Sequence, residues 1–121
     1  MSDKIKLLEL ANKEVADDKN FIAFFLVKYS EIENISKEDI INNFKCNLET
    51  YYKLSLCRVP DQSAIDYITR LNKISEYVNI NSLEINKIIK RVNSVLIFLN
   101  SNHNNYLSAA RDKKNKNDSN D

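Results

Sequence analysis

The chain of 121 residues contains no glycine and a single proline, Pro60. Tight β-hairpin turns require backbone conformations with positive φ, which glycine adopts more readily than other residues. Loops that hold phosphate groups through their backbone amides depend on glycine for the same reason. The absence of glycine therefore predicts an all-α fold, in which helices are joined by short polar turns. It argues against hairpin-rich sheets and phosphate-binding loops.

The overall composition is that of one small domain with an ordinary polar surface. Apolar residues make up 43% of the chain and charged residues 29%, which is enough for a core and a solvated exterior. We expect a compact helical domain of five to seven helices over residues 1–100. Residues 101–121 are mostly polar and end in a stretch without apolar side chains, so we expect a disordered tail there.

Apolar side chains recur at helical spacing in several segments of the chain. The predicted helices span residues 3–16, 20–33, 36–44, 47–57, 63–78 and 82–100. The second is apolar on most sides, with Phe24 and Phe25 among its apolar residues, so we expect it at the centre of the core. Ser63 and Asp66 predict the cap of the fifth helix. The last helix has more apolar surface than one small domain covers, so we expect a homodimer that uses it or the first helix.

Two of these helices, within residues 36–57, are short and separated by a tight link. Ser36 is a suitable N-cap, and Asp39 stands three residues later, where an acidic side chain completes a capping box. The apolar pattern breaks after Phe44, and Asn47 is a suitable N-cap for the next helix. Two consecutive short helices with so short a connection predict a central helix-turn-helix.

This stretch resembles DNA-binding domains of the lambda-repressor type (XRE-type). Five residues fall on positions that are buried in that family: Ile40, Phe44, Cys46, Tyr51 and Leu54. The resemblance covers residues 21–92 and identifies the chain as a degenerate member, because Lys45 stands where the family has glycine and Ile41 where it has alanine. Glycine at that place in the turn adopts positive φ, which is unfavourable for lysine.

The resemblance implies a transcriptional regulator whose second motif helix enters the major groove of double-stranded DNA. The side chains of that helix that face away from Tyr51 and Leu54 are expected to contact bases. They are Leu48, Glu49, Tyr52 and Lys53. Cations at the edges of the motif are expected to contact phosphates: Lys37, Lys45 and Arg58.

A second interpretation stays open, because the chain has 18 basic and 17 acidic residues and a net charge of +1. Proteins held on DNA through phosphate contacts usually carry a strong basic excess. The alternative is a protein–protein interaction module, an adaptor or regulatory subunit, built on a helix-turn-helix that does not bind DNA. Leu48 and Tyr52 would then serve as its apolar anchors.

Other classes of site have little support in the sequence. Cys46 and Cys57 are the only cysteines and His103 is the only histidine, so we expect no metal site and no cofactor. No nucleophile–base pair is recognisable, so we expect no enzymatic activity. The N-terminus lacks the apolar core of a signal peptide, and no run of about 18 apolar residues occurs. We therefore expect a cytoplasmic protein without a membrane partner.

Overall fold

The computed structural model describes residues 3–115, which form six α-helices. The helices are α1 (Asp3–Val15), α2 (Ile22–Glu33), α3 (Lys37–Phe44), α4 (Leu48–Ser55), α5 (Tyr67–Val78) and α6 (Ser82–Asn115). Within these residues no β-strand forms, and extended backbone pairs in an isolated bridge between Phe21 and Arg58. The predicted all-α fold of five to seven helices is confirmed.

Helix α2 lies at the centre of the core, as its sequence predicts. Its first five residues, 22–26, are all buried, although successive residues of a helix point about 100° apart. Neighbours therefore cover this part of α2 on every side, and it packs against α1, α3, α4 and α6. Inside this core Phe24 and Phe25 meet edge to face, with ring centroids 5.3 Å apart.

Both predicted caps of the helix-turn-helix are present. Ser36 Oγ accepts a hydrogen bond from the amide of Asp39 at 3.0 Å, and a carboxylate oxygen of Asp39 accepts one from the amide of Ser36 at 3.0 Å. At the start of α4, Asn47 Oδ1 accepts from the amide of Thr50 at 2.8 Å. Of the residues expected at buried positions, Cys46 is half-buried and the others are buried, namely Ile40, Phe44, Tyr51 and Leu54.

The turn between α3 and α4 depends on one residue with positive φ. Lys45 ends α3 with φ 58° and ψ 42°, the left-handed region that a residue with a Cβ atom disfavours. The amide of Lys45 donates to the carbonyl of Asn42 at 3.1 Å, and the amide of Cys46 donates to the carbonyl of Ile41 at 3.2 Å. These bonds satisfy carbonyl groups that the end of a helix otherwise leaves without partners.

Helix α5 begins later than the sequence predicts, at Tyr67 instead of Ser63. The prediction that Ser63 caps this helix is wrong, because Ser63 forms hydrogen bonds with Asp61 instead. Asp61 Oδ1 accepts hydrogen bonds from both the amide and the hydroxyl of Ser63, at 3.0 and 2.8 Å, and such a turn competes with helix initiation. As a result, Ile65 lies outside the helix and is fully exposed.

Helix α6 begins at Ser82, as predicted, and continues to Asn115, beyond its predicted end at residue 100. The part of the predicted tail from 101 to 115 is therefore helical. No glycine or proline occurs in this stretch, and each residue added to an existing helix gains a hydrogen bond without a new nucleation cost. Residues 116–121 of the predicted tail lie outside the described residues.

The strained turn leads to a stability prediction. Replacing Lys45 with glycine should raise the free energy of unfolding by up to about 1 kcal/mol, because glycine adopts positive φ without the steric cost of a Cβ atom. Urea and thermal melts of the two proteins would measure the change.

Asn34 offers a matched control, since it ends α2 with nearly the same backbone angles, φ 56° and ψ 49°. Asparagine tolerates this region better than lysine. Asn34→Gly should therefore stabilise the protein less than Lys45→Gly. A clear loss of stability in the Lys45 variant would contradict the left-handed turn, because glycine at an ordinary helical position is destabilising.

Candidate functional site

Helix α4 is the element to which the sequence assigns a binding role, and α1 packs against it. The inner side of α1 carries Ile5 and Leu8, which are partly buried against the core. Helix α4 also contacts α2 and α5. It is therefore covered from several directions, and the face that would enter a DNA groove is only partly open to solvent.

An ionic cluster links α1 to α4. Glu49 Oε2 lies 3.1 Å from Lys4 Nζ of α1 and 3.2 Å from Lys53 Nζ, which is one turn further along α4. The hydrogen bond from Lys4, followed by the one from Lys53, lowers the pKa of Glu49. Two of the residues predicted to contact bases, Glu49 and Lys53, are thus paired with each other, and Glu49 is also paired with Lys4 of α1.

Tyr52 does not face outward as predicted, because only 2% of its surface is exposed. Its ring meets that of Tyr51 edge to face, with 5.7 Å between the centroids. Its hydroxyl accepts a hydrogen bond from Lys37 Nζ at 2.9 Å, and this bond is the main reason that the pKa of Lys37 is raised. The prediction was wrong because it treated α4 as buried on one side only, whereas other helices pack on it from several sides.

The remaining predicted residues have different environments. Leu48 is half-buried and packs against the core, whereas Lys45 is exposed in the turn. Arg58 lies in the linker after α4, where its guanidinium stacks on the ring of Phe21, 4.9 Å from the centroid. Three of the predicted cations therefore already contact other side chains: Lys37, Lys53 and Arg58.

The sequence did not predict the role of Lys4 or the position of α1. Helix α1 precedes residues 21–92, to which the expected resemblance was limited, so that expectation did not place it. The spacing of Ile5 and Leu8 indicates an apolar side on α1, but it does not identify the helix against which that side packs.

The packing of α1 on the domain is imperfect. No residue of α1 is fully buried. The side-chain oxygen of Asn12 is buried without a hydrogen-bond partner, so it loses contact with water and gains nothing in return. We infer that α1 is held less firmly than the helices that share the central core.

Several large apolar side chains lie on the surface, among them two groups of near neighbours; Ile65, Ile68, Tyr77 and Leu83 are exposed elsewhere. Leu7 and Leu10 are on the outer side of α1, with 68% and 59% of their surface exposed. The second group consists of Ile97, Phe98 and Leu99 on α6, named here the distal apolar segment. Exposed apolar side chains that lie next to one another are typical of contact surfaces.

No group of three or more His, Cys, Asp or Glu side chains in the described part of the chain is placed to hold a metal ion. No helix within it is long and apolar enough to cross a membrane. Burial raises the pKa of the Cys46 and Cys57 thiols, which lowers their content of reactive thiolate at neutral pH.

Comparison with protein-family models, with curated proteins and with solved structures returned no match.

Replacing Asn12 with leucine should strengthen the packing of α1. Leucine has nearly the same branched shape but no polar oxygen, so the variant removes a desolvation cost of about 1–3 kcal/mol. Hydrogen exchange followed by mass spectrometry should become slower in α1 and stay unchanged in α5.

The matched control is Lys13→Leu, at an exposed position next to Asn12 on the same helix. It adds an apolar side chain without removing a buried oxygen, so exchange in α1 should hardly change. Faster exchange in the Asn12 variant would mean that the amide has a partner and that the packing of α1 depends on it.

The Glu49 cluster also predicts a pH dependence. The folded-state pKa of Glu49 lies below its ordinary value, so its stabilisation of the α1–α4 contact is complete above the unfolded pKa, about 4.3. It is lost as the pH falls through the lower folded value. Amide signals of α1 in NMR spectra should therefore shift in acid with the same apparent pKa as the Glu49 carboxyl.

Glu49→Gln is the control for this titration, because glutamine has nearly the same shape and no charge. The transition in α1 that follows Glu49 should disappear in this variant, and only shifts from acids on α1 itself should remain. An unchanged titration of α1 would contradict the link between Lys4 and Glu49.

Proposed function

We propose that this chain is a protein–protein interaction module built on a helix-turn-helix, in which α4 is a packing element and not a DNA-reading helix. The observation that carries the proposal is the packing of α1 against α4. A helix that enters the major groove needs one face free of other protein. Here α1 takes up part of the surface of α4, and Lys4 pairs with Glu49 at 3.1 Å.

The charges around α4 support the same function. DNA-binding surfaces gain much of their affinity from cations that displace counterions from phosphates. Glu49 is ionised at neutral pH, as a glutamate with its ordinary pKa already is, and the adjacent lysines lower its pKa further. A carboxylate at this place repels phosphates. The net charge of +1 on the whole chain adds little general attraction to DNA.

The outer side of α1 offers a surface for the partner. Leu7 and Leu10 are exposed and one turn apart, and helices that dock into a groove of another protein use apolar anchors at this spacing. The exposed charges near this pair have both signs, with Asp3, Lys6, Lys13 and Glu14. An apolar groove with a rim of mixed charge is therefore the partner surface that fits best.

DNA binding by α4 is the second candidate, because the geometry of the turn favours it. Lys45 has the positive φ that the glycine of lambda-repressor-type turns adopts, and both motif helices carry their caps. In this mode α1 has to leave α4 first. Leu48, Glu49 and Lys53 would then face bases, and the phosphate contacts would come from Lys37, Lys45 and Arg58.

Photo-crosslinking in the native host separates the two functions. A benzophenone side chain at Leu10 should give protein adducts, because this residue lies on the exposed side of α1. The same group at Lys45, in the exposed turn of the motif, should give no nuclease-sensitive adduct. Position 76, an exposed glutamate on α5, serves as the background control.

A nuclease-sensitive adduct at Lys45 with none to protein at Leu10 would contradict the proposed function. A binding assay then tests the second candidate directly, using the full chain, a pool of random DNA duplexes and two salt concentrations. Leu8→Glu places a charge on the inner side of α1 and should free α4. Sequence-specific binding by this variant, without binding by the wild type, would establish DNA binding that α1 blocks.

A further inference from the structure

A pocket lies between α5 and residues 56–66, the linker that joins α4 to α5, and is named here the linker pocket. Its volume is about 610 Å³, within the range of about 300–1,000 Å³ that is typical of sites for small molecules. The accessible lining is mainly apolar, and its apolar side chains are Val59, Pro60, Ala64 and Ile74. The linker pocket therefore has the size and the apolar wall that a small organic ligand needs.

Backbone hydrogen bonds hold the linker side of this pocket in place. The amide of Val59 donates to the carbonyl of Asn20 at 2.9 Å, and the amide of Ile22 donates to the carbonyl of Cys57 at 2.9 Å. The next residue, Pro60, is buried, and its ring restricts φ. Because this wall is already ordered, a ligand loses little of its binding free energy in ordering it.

Charged side chains surround the apolar wall, and the cations outnumber the carboxylates. The cations are Arg58, Arg70 and Lys73, and the carboxylates are Asp61 and Asp66. Three cations against two carboxylates leave the lining with an excess of one positive charge. Arg70 pairs with Asp66 at 2.7 Å, whereas neither Arg58 nor Lys73 has a carboxylate partner within the described residues.

The side chain of Arg58 is held in a way that suits the binding of an anion. Its guanidinium lies 4.9 Å from the centroid of the Phe21 ring. A guanidinium that stacks on an aromatic face keeps the N–H groups at its edge free to donate in pairs to a carboxylate. The stacking also limits the rotamer freedom that Arg58 would lose when it binds a ligand.

We propose that the linker pocket binds a small monocarboxylate with an apolar body, whose carboxylate is held by Arg58 and Lys73 and whose body contacts the apolar wall. One negative charge matches the excess of one positive charge, whereas a phosphate monoester brings about 1.5 to 2 negative charges at neutral pH. This inference goes beyond the proposed function, because none of the lining residues belongs to α1 or α4.

Titration of the full chain with 2-naphthoate tests the proposal, and 2-naphthamide is the uncharged counterpart of this probe. In NMR spectra the amide signals of α5 and of residues 58–66 should shift and saturate at millimolar 2-naphthoate. The same signals should shift with 2-naphthamide at an affinity about tenfold lower, because two exposed ion pairs are lost.

Charge variants test the two cations separately. Arg58→Gln and Lys73→Gln should each weaken the binding of 2-naphthoate about threefold and leave that of 2-naphthamide unchanged. The double variant should bind the two probes alike. Lys87→Gln is the matched control, because this lysine is exposed on α6 and does not line the pocket, and it should change neither affinity.

Ala64→Phe tests the apolar wall, because it places a large side chain among the residues that line the pocket. Binding of both probes should be lost in this variant. Thermal melts check that each variant is folded, and the charge variants keep the proposal testable if Ala64→Phe is not.

Equal affinity of the wild type for the two probes would overturn the proposal, as would the absence of saturable shifts in α5. Acetate that binds as tightly as 2-naphthoate would overturn the role of the apolar wall. An equal loss of 2-naphthoate binding in Lys87→Gln would reduce the effect to general charge attraction. Each of these results would leave the proposed function standing, because the cross-linking at Leu10 tests a different surface.

Discussion

Complete burial of the first turn of α2 is the constraint on which the rest of the structure depends. Residues 22–26 are all buried, and a helix that is apolar on every side needs neighbours on every side. Helices α1, α3, α4 and α6 supply them. Both helices of the helix-turn-helix therefore pack against α2 and form part of the core.

Helix α1 covers one side of α2, and in the same position it also packs against α4. It therefore reduces the surface of α4 that is open to a binding partner. Helix α4 lies between the core and α1, with Tyr52 buried and Glu49 paired to Lys4 at 3.1 Å. The turn itself keeps the positive φ at Lys45. A left-handed turn between two capped helices therefore coexists with a helix, α1, that covers part of the surface of α4.

The features that could be predicted from the sequence are those set by neighbouring residues. The caps at Ser36 and Asn47 and the buried aromatics of α2 depend on short-range spacing, and they are as expected. Features set by tertiary packing could not be predicted in this way. The outward orientation expected for Tyr52 failed because α4 is covered on several sides.

Two helix boundaries differ from the prediction: the start of α5, because Asp61 binds Ser63, and the end of α6, because no residue there stops the helix. Ser63 was expected to cap α5, but Asp61 binds its amide and hydroxyl first. The end of α6 was expected where the composition becomes polar, yet polar residues do not end a helix unless glycine, proline or a competing cap stops it. Helix α6 therefore continues to Asn115. The distal apolar segment lies in a part of α6 that the rest of the domain leaves exposed.

The most direct test of this account is a zero-length cross-link between α1 and α4. A carbodiimide joins a carboxylate to an ammonium group only when the two are in contact, and Lys4 lies 3.1 Å from Glu49. Dilute protein should yield both the Lys4–Glu49 and the Lys53–Glu49 cross-links in the mass spectrum, and Glu49→Gln should yield neither. A spectrum with only the Lys53–Glu49 cross-link would show that α1 does not lie on α4.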